Sequence, residues 1–149
     1  MSRRSAYWGI RSCRSRLRVD GSDHKGNWFV EVPVLKQGPF LIATVQAALT
    51  DDDLVQLRRA MVERVVLSRS LGVIIDVTAM DIMDSFASRT LREIAQMIRL
   101  RGAETVIVGI QPEVAFAMVQ LGITLEGVVT ALDLEEGLEY LNHKFKNNA

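Results

Sequence analysis

The sequence predicts a single α/β domain: a mixed, mostly parallel sheet of four to five strands that carries four helices. Three observations predict it. Short runs rich in Val and Ile alternate with longer segments whose apolar residues recur every three or four positions, a pattern that builds parallel β-α-β units. Two apolar runs near the front are joined by Gln37-Gly38-Pro39, which reads as a hairpin and makes the sheet mixed. A chain of 149 residues, 48% apolar and 24% charged, is long enough for one globular domain with a sizeable core.

Phe29 to Leu35 and Phe40 to Val45 are the two arms of the hairpin, and Pro33 suits an edge strand or a bulge. Thr50 opens the first helix as a cap, with Asp51, Asp52 and Asp53 at the positive end of the helix dipole. Leu54, Leu57, Met61 and Val65 form its buried face, and Gly72 ends the unit. Val73 to Val77 is an apolar run of the kind found in strands covered on both faces. A second helix starts at about Ser85 with Leu91, Ile94, Ala95 and Ile98 inward, and Gly102 sits at its C-terminal cap. Thr105 to Val108 is the next buried strand. Pro112 and Gly122 bracket a third helix. Val128-Val129 is a final short strand. Asp133 to Glu136 has the spacing of a capping box, and Leu134, Leu138, Leu141 and Phe145 give the last helix its apolar stripe.

The only composition shift lies near Asn27. Residues 1–27 carry seven Lys or Arg and two acids, a net +5, and the remaining 122 residues carry −5. The apolar residues before the shift show no period. Residues 1–27 are therefore expected to be a basic, disordered tail and 28–149 the domain. The acidic body argues against a nucleic-acid-binding domain. No apolar run reaches the ~18 residues that span a bilayer, and the basic N-terminal stretch lacks the apolar centre of a signal peptide. The single cysteine, Cys13, cannot form an internal disulfide, which fits a reducing cytoplasm.

Catalytic patterns are absent. The two histidines, His24 and His143, belong to no HExxH or Cys/His cluster, and there is no phosphate-binding glycine loop and no GxSxG elbow. Neither a cofactor nor a metal is expected. The segment Asp76 to Ser88 stands out, because it joins a buried strand to a helix at the edge where α/β sheets bind ligands and partners. Ser85 falls at the helix start. It reads as a plain N-cap or as a site for an added phosphate, and the two roles are compatible. A phosphate there would join the acidic corner of Asp81 and Asp84 and could repel a bound partner. Asp76, Asp81 and Asp84 read as turn contacts, with a Mg²⁺ site as the alternative. Ile82, Met83 and Phe86 are core or a contact patch.

The strand-loop-helix VIIDVTAMDIMDSFASRTL resembles the phosphorylation loop of STAS-domain anti-sigma-factor antagonists. The GIQPEVA, LGI and ALDLEEGL elements of the later stretch resemble the stressosome branch of that family, the RsbS type. The resemblance covers about residues 30–145 and implies a STAS-like fold. It implies that Ser85 is the phosphoacceptor and that Asp84, Ser85, Phe86, Ile82 and Met83 meet a kinase. The implied protein is a cytoplasmic scaffold without enzymatic activity. It joins RsbR-like co-antagonists in homo- and hetero-oligomers and sequesters an RsbT-like serine/threonine kinase. Phosphorylation of Ser85 under stress releases the kinase, and an RsbX-like serine phosphatase resets the system. The alternative is a direct anti-sigma-factor antagonist of the same fold. Such antagonists carry an Asp-Ser-Ser-Gly-Leu-like loop, and Asp84-Ser85-Phe86-Ala87-Ser88 departs from it. The stretch before the STAS region is too short for the sensor domain of RsbR-like proteins, and its basic residues have no counterpart in the family pattern.

Overall fold

The computed structural model describes residues 14–17, 32–46 and 49–147. The strands are β1 (Arg14–Leu17), β2 (Val32–Gln37), β3 (Phe40–Thr44), β4 (Gly72–Asp76), β5 (Glu104–Val108) and β6 (Val129–Ala131). The helices are α1 (Asp51–Ser68), α2 (Ser85–Leu100), α3 (Pro112–Gln120) and α4 (Leu134–Lys146). The strands lie side by side in chain order. β1, β2 and β3 pair antiparallel, and β3 to β6 pair parallel.

The expected α/β class, four helices and strand-helix alternation are all present. The sheet has one strand more than expected. β1 lies inside the basic segment expected to be a tail and pairs Arg14 to Leu17 with Leu35 to Val32. The remainder of that segment lies outside the described residues. Pro33 faces Arg16 of β1 but falls beyond the β2–β3 register, which begins at Val34. It therefore sits where a missing N–H costs the β3 ladder nothing.

Alternation along the central strands sorts the core into two layers. Leu41, Ala43, Val73, Ile75 and Ile107 face the cluster that contains the inner residues of α1, α2 and α3. Phe40, Ile42, Ile74, Val106 and Val108 face α4 through Leu141, with Leu134, Leu138 and Phe145 packed around them. Both faces are covered, so β4 and β5 are buried almost throughout. Gly137 lets α4 approach closely: a Cβ at that position would lie 2.9 Å from a methyl of Val108.

Helix ends follow local chemistry. Thr50 and Asp53 form a reciprocal capping box on α1, with bonds of 3.2 and 2.9 Å. α1 ends earlier than expected, at Ser68, with Arg69 in the left-handed conformation. Gly72, expected to end that unit, instead opens β4, packed against Leu141 and Phe40. Asp133 caps α4 by accepting from the Glu136 N–H, while the Glu136 carboxylate accepts from Leu132 N–H, one residue upstream of the strict box. Beyond the helices, Glu104 at the start of β5 is buried and takes ion pairs from Arg99 of α2 and Lys144 of α4. That pairing links both layers at the end of the sheet opposite Asp76.

Candidate functional site

The connection from Asp76 to Ser85 leaves the carboxyl end of β4 and enters α2. Its first turn is locked from three sides. The Asp76 carboxylate accepts from the backbone N–H of Thr78 at 2.9 Å and from its hydroxyl at 2.5 Å. The Gln111 side-chain amide donates to the Thr78 carbonyl at 2.5 Å, which ties the loop to the residue that precedes α3. Gly109 has φ +80°, and a Cβ there would lie 2.0 Å from the Thr78 hydroxyl oxygen. Only glycine fits that position without moving the turn.

The second half of the loop is held by apolar anchors. Met80 and Met83 are buried in the core at 6% and 4% exposure, whereas Ile82 between them is 77% exposed. Met83, expected in a kinase-contact patch, therefore belongs to the core, and Ile82 is the loop's outward apolar residue. Phe86 is half-buried against the core.

At the helix start the structure corrects the expected cap. The N-cap is Asp84, with extended φ and ψ, and its carboxylate accepts from the Ala87 N–H at 2.7 Å. Ser85 is the first helical residue, it is exposed, and no side chain among the described residues hydrogen-bonds to its hydroxyl. Ser88 is buried and donates to the Ser85 carbonyl, and Thr90 donates to the Phe86 carbonyl, so these hydroxyls are used inside the helix. Thr78 is exposed, but its hydroxyl is held by Asp76. Ser85 thus presents an unengaged hydroxyl on a rigid support.

Beside it, Leu49, Leu54, Met80, Ile82 and Ala87, with Asp51, Asp81 and Asp84, line a groove of about 310 Å³ between the starts of α1 and α2. Asp76 and Asp84 are committed to backbone N–H groups. Among the described residues no group of three His, Cys, Asp or Glu side chains is arranged to hold a metal ion. No helix there is long and apolar enough to cross a membrane. His143 is exposed on α4, and His24 lies outside the described residues.

Sequence reasoning located this loop from its place after a buried strand and singled out Ser85. It did not assign roles to Gly109 and Gln111. The signal was present as a glycine directly after a buried strand, followed two residues later by an amide and then a proline. What that glycine accommodates, the Thr78 hydroxyl, comes from the neighbouring strand's loop and is invisible in one dimension.

A family model described as the STAS domain matches residues 31–136. A curated relative, the RsbT co-antagonist protein RsbRA of Bacillus subtilis, is 36% identical over 75 residues, which is 50% of this chain and 27% of RsbRA. The chain thus spans about a quarter of that relative's length. Among solved structures, a variant of Moorella thermoacetica RsbS is 30% identical, with a TM-score of 0.67 over 77% of this chain and 97% of RsbS. A chain of the structure described as the molecular architecture of the stressosome, a signal integration and transduction hub, is also 30% identical. Its TM-score is 0.63 over 76% of this chain and 98% of the other.

Proposed function

The chain belongs to the STAS-domain family and is similar to its RsbS-type stressosome members, and on that premise we propose that it is a phosphorylation-switched scaffold of a cytoplasmic stress-signalling assembly. It sequesters a serine/threonine kinase of the RsbT type and has no catalytic role of its own. Its co-assembling partners are RsbR-like proteins, and an RsbX-like phosphatase restores the unmodified state.

The observation that carries this reading is the placement of Ser85. It is the first residue of α2, exposed and unengaged, on a loop pinned by Met80, Met83 and the Asp76–Thr78–Gln111 bonds. The kinase would transfer the γ-phosphoryl group of ATP to the Ser85 oxygen, releasing ADP and the hydroxyl proton. The phosphate adds about −1.5 to −2 charges at neutral pH. The helix start tolerates that charge. A partner seated over Ile82 and Phe86 does not, because it would have to strip water from the phosphate beside Asp81 and Asp84. Release then follows from a penalty confined to the bound state.

The test is phosphosite mapping by mass spectrometry after incubation with the RsbT-like kinase and ATP, followed by kinase pull-down. Ser85 carries the modification. Ser85→Ala keeps the kinase bound and blocks release, and Ser85→Asp weakens binding less than phosphate does, since it brings one charge and a different shape. A phosphate on another residue, or wild-type affinity in Ser85→Asp, overturns the mechanism. A 1:1 complex with an anti-sigma factor would instead support the direct antagonist.

A further inference from the structure

The two ends of the sheet carry opposite charge. At the end that holds Ser85, the helix starts are acidic, with Asp51 to Asp53, Asp84, Glu113 and Glu135. At the other end, Phe40, Gly72 and Glu104 lie in register across β3, β4 and β5. Leu71 joins them there, through backbone bonds of 2.8 Å to Pro39 and 3.0 Å to Glu104. Cations gather around this end: Lys36, whose ammonium donates to the Ser68 carbonyl, with Arg69, Arg99, Arg101, Lys144 and Lys146. Among the described residues the carboxylates beside them are Glu104, already paired with Arg99 and Lys144, and Glu126, in the loop that Arg99 holds through the Gly127 carbonyl. Leucines stand among the cations. Leu67 and Leu100 are 80% and 86% exposed, and Leu71 is 42% exposed. The helix dipole accounts for cations at the C-terminal ends of α1, α2 and α4. It gives the leucines no reason to face water beside them. β1 adds a third observation. Arg14 pairs with Leu35, close to the Gly38-Pro39 turn, so the chain that precedes β1 joins the domain at this same end. That stretch lies outside the described residues, and its sequence interleaves Arg3, Arg4 and Arg11 with Tyr7, Trp8 and Ile10. These are residue types of the membrane interface.

We propose that this basic end seats on an anionic phospholipid bilayer, with Leu67, Leu71 and Leu100 entering the boundary between headgroups and acyl chains and Arg69, Arg101 and Lys146 meeting lipid phosphates. Charge selects a polyanion, and the leucines select among polyanions. Aliphatic side chains offer a nucleic acid neither a stacking platform nor a hydrogen bond, whereas at a bilayer surface they leave water. Each cation close to an anionic membrane is worth roughly fivefold in partitioning. The few present therefore give reversible binding that salt weakens, and not a permanent anchor. Ser85 lies at the opposite end of the sheet and faces away from the lipid. The seat leaves that serine open to its partners and does not rest on the reading of Ser85 given above.

The test is vesicle flotation with the full chain. Vesicles of phosphatidylglycerol and phosphatidylcholine carry the wild type up the gradient, vesicles of phosphatidylcholine alone do not, and added salt reverses the binding. Arg69→Gln/Arg101→Gln and Leu67→Ser/Leu100→Ser each lower the partition coefficient roughly tenfold or more, with the fold verified by circular dichroism. Leu132→Ser, 79% exposed at the Ser85 end, and Ser85→Asp leave it unchanged. A wild type that does not float overturns the proposal and leaves the Ser85 mechanism untouched. Undiminished binding by both double variants overturns it as well, as does an equal loss in Leu132→Ser. A loss confined to Trp8→Ala would make the N-terminal stretch alone the membrane contact and overturn the folded surface. A parallel anisotropy titration uses a uridine oligoribonucleotide. If the wild type binds that RNA and not the vesicles, the basic end is a nucleic-acid seat and the bilayer is overturned.

Discussion

Asp84 and Ser85 stand side by side at the start of α2, and both residue types are strong helix caps. The sequence located the helix start but could not choose between them. The choice depends on which residue keeps extended dihedrals, and Asp84 does, so its carboxylate takes the Ala87 N–H. This division leaves Ser85 free for modification. It also separates two substitutions that look alike in sequence. Asp84→Ala should lower stability in urea denaturation by about 1 kcal/mol through the lost cap. Ser85→Ala, at an exposed first-turn position, should stay within about 0.5 kcal/mol of wild type. Equal losses in both variants would return the capping role to Ser85. Gly109 is a second residue whose role emerged only in three dimensions. With φ +80° and the Thr78 oxygen 2.0 Å from where a Cβ would sit, Gly109→Ala should cost roughly 1–3 kcal/mol. It should also perturb the amide signals of Thr78 and Ala79 in an NMR spectrum more than those of α4.

The elements were legible to the extent that their periodicity reports burial. The inner faces of α1 and α2 follow spacings of three and four, and Leu54, Leu57, Met61, Val65, Leu91, Ile94 and Ile98 are all buried. β4 and β5 read as uniform apolar runs because both faces are covered, and for that reason their sequence does not tell which residue faces which layer. Helix ends were less legible. Arg69 takes a left-handed conformation that usually belongs to glycine, whereas Gly72 serves close packing against Leu141. Among the described residues, α4 is the only helix whose side chains cover the second face of the sheet. Its central residue, Leu141, is fully buried, whereas Leu134 is only partly so. Leu141→Ala should therefore cost about 2–5 kcal/mol, read as a drop in the denaturation midpoint, and Leu134→Ala clearly less. Similar losses would mean that α4 is anchored at its first turn and not at its centre.

At the scale of the whole molecule, the unexpected element is β1. Its sequence, Arg-Ser-Arg-Leu, offers neither alternation nor a run of β-branched residues, so its pairing is dictated by the edge it meets. That edge is β2, which would otherwise expose one row of backbone groups. Among the described residues the two apolar clusters draw on positions from Val32 to Phe145, and β1 contributes backbone pairing to β2. We therefore expect the domain boundary at residue 28 to hold in practice. A chain lacking residues 1–27 should fold, with a midpoint in scanning calorimetry lowered by a few degrees, since a loss near 1 kcal/mol shifts the transition of a domain this size by about 2–8 °C. The uncovered strand should not trigger aggregation. Pro33 cannot donate a ladder hydrogen bond, and Lys36 places a charge on the same edge strand, two devices that blunt edges. Sedimentation of the truncated chain should thus show no association beyond that of the full chain. A collapse of the midpoint, or new oligomers that disappear when Arg14 to Leu17 are restored, would show that β1 is an integral strand and would move the boundary upstream of Arg14.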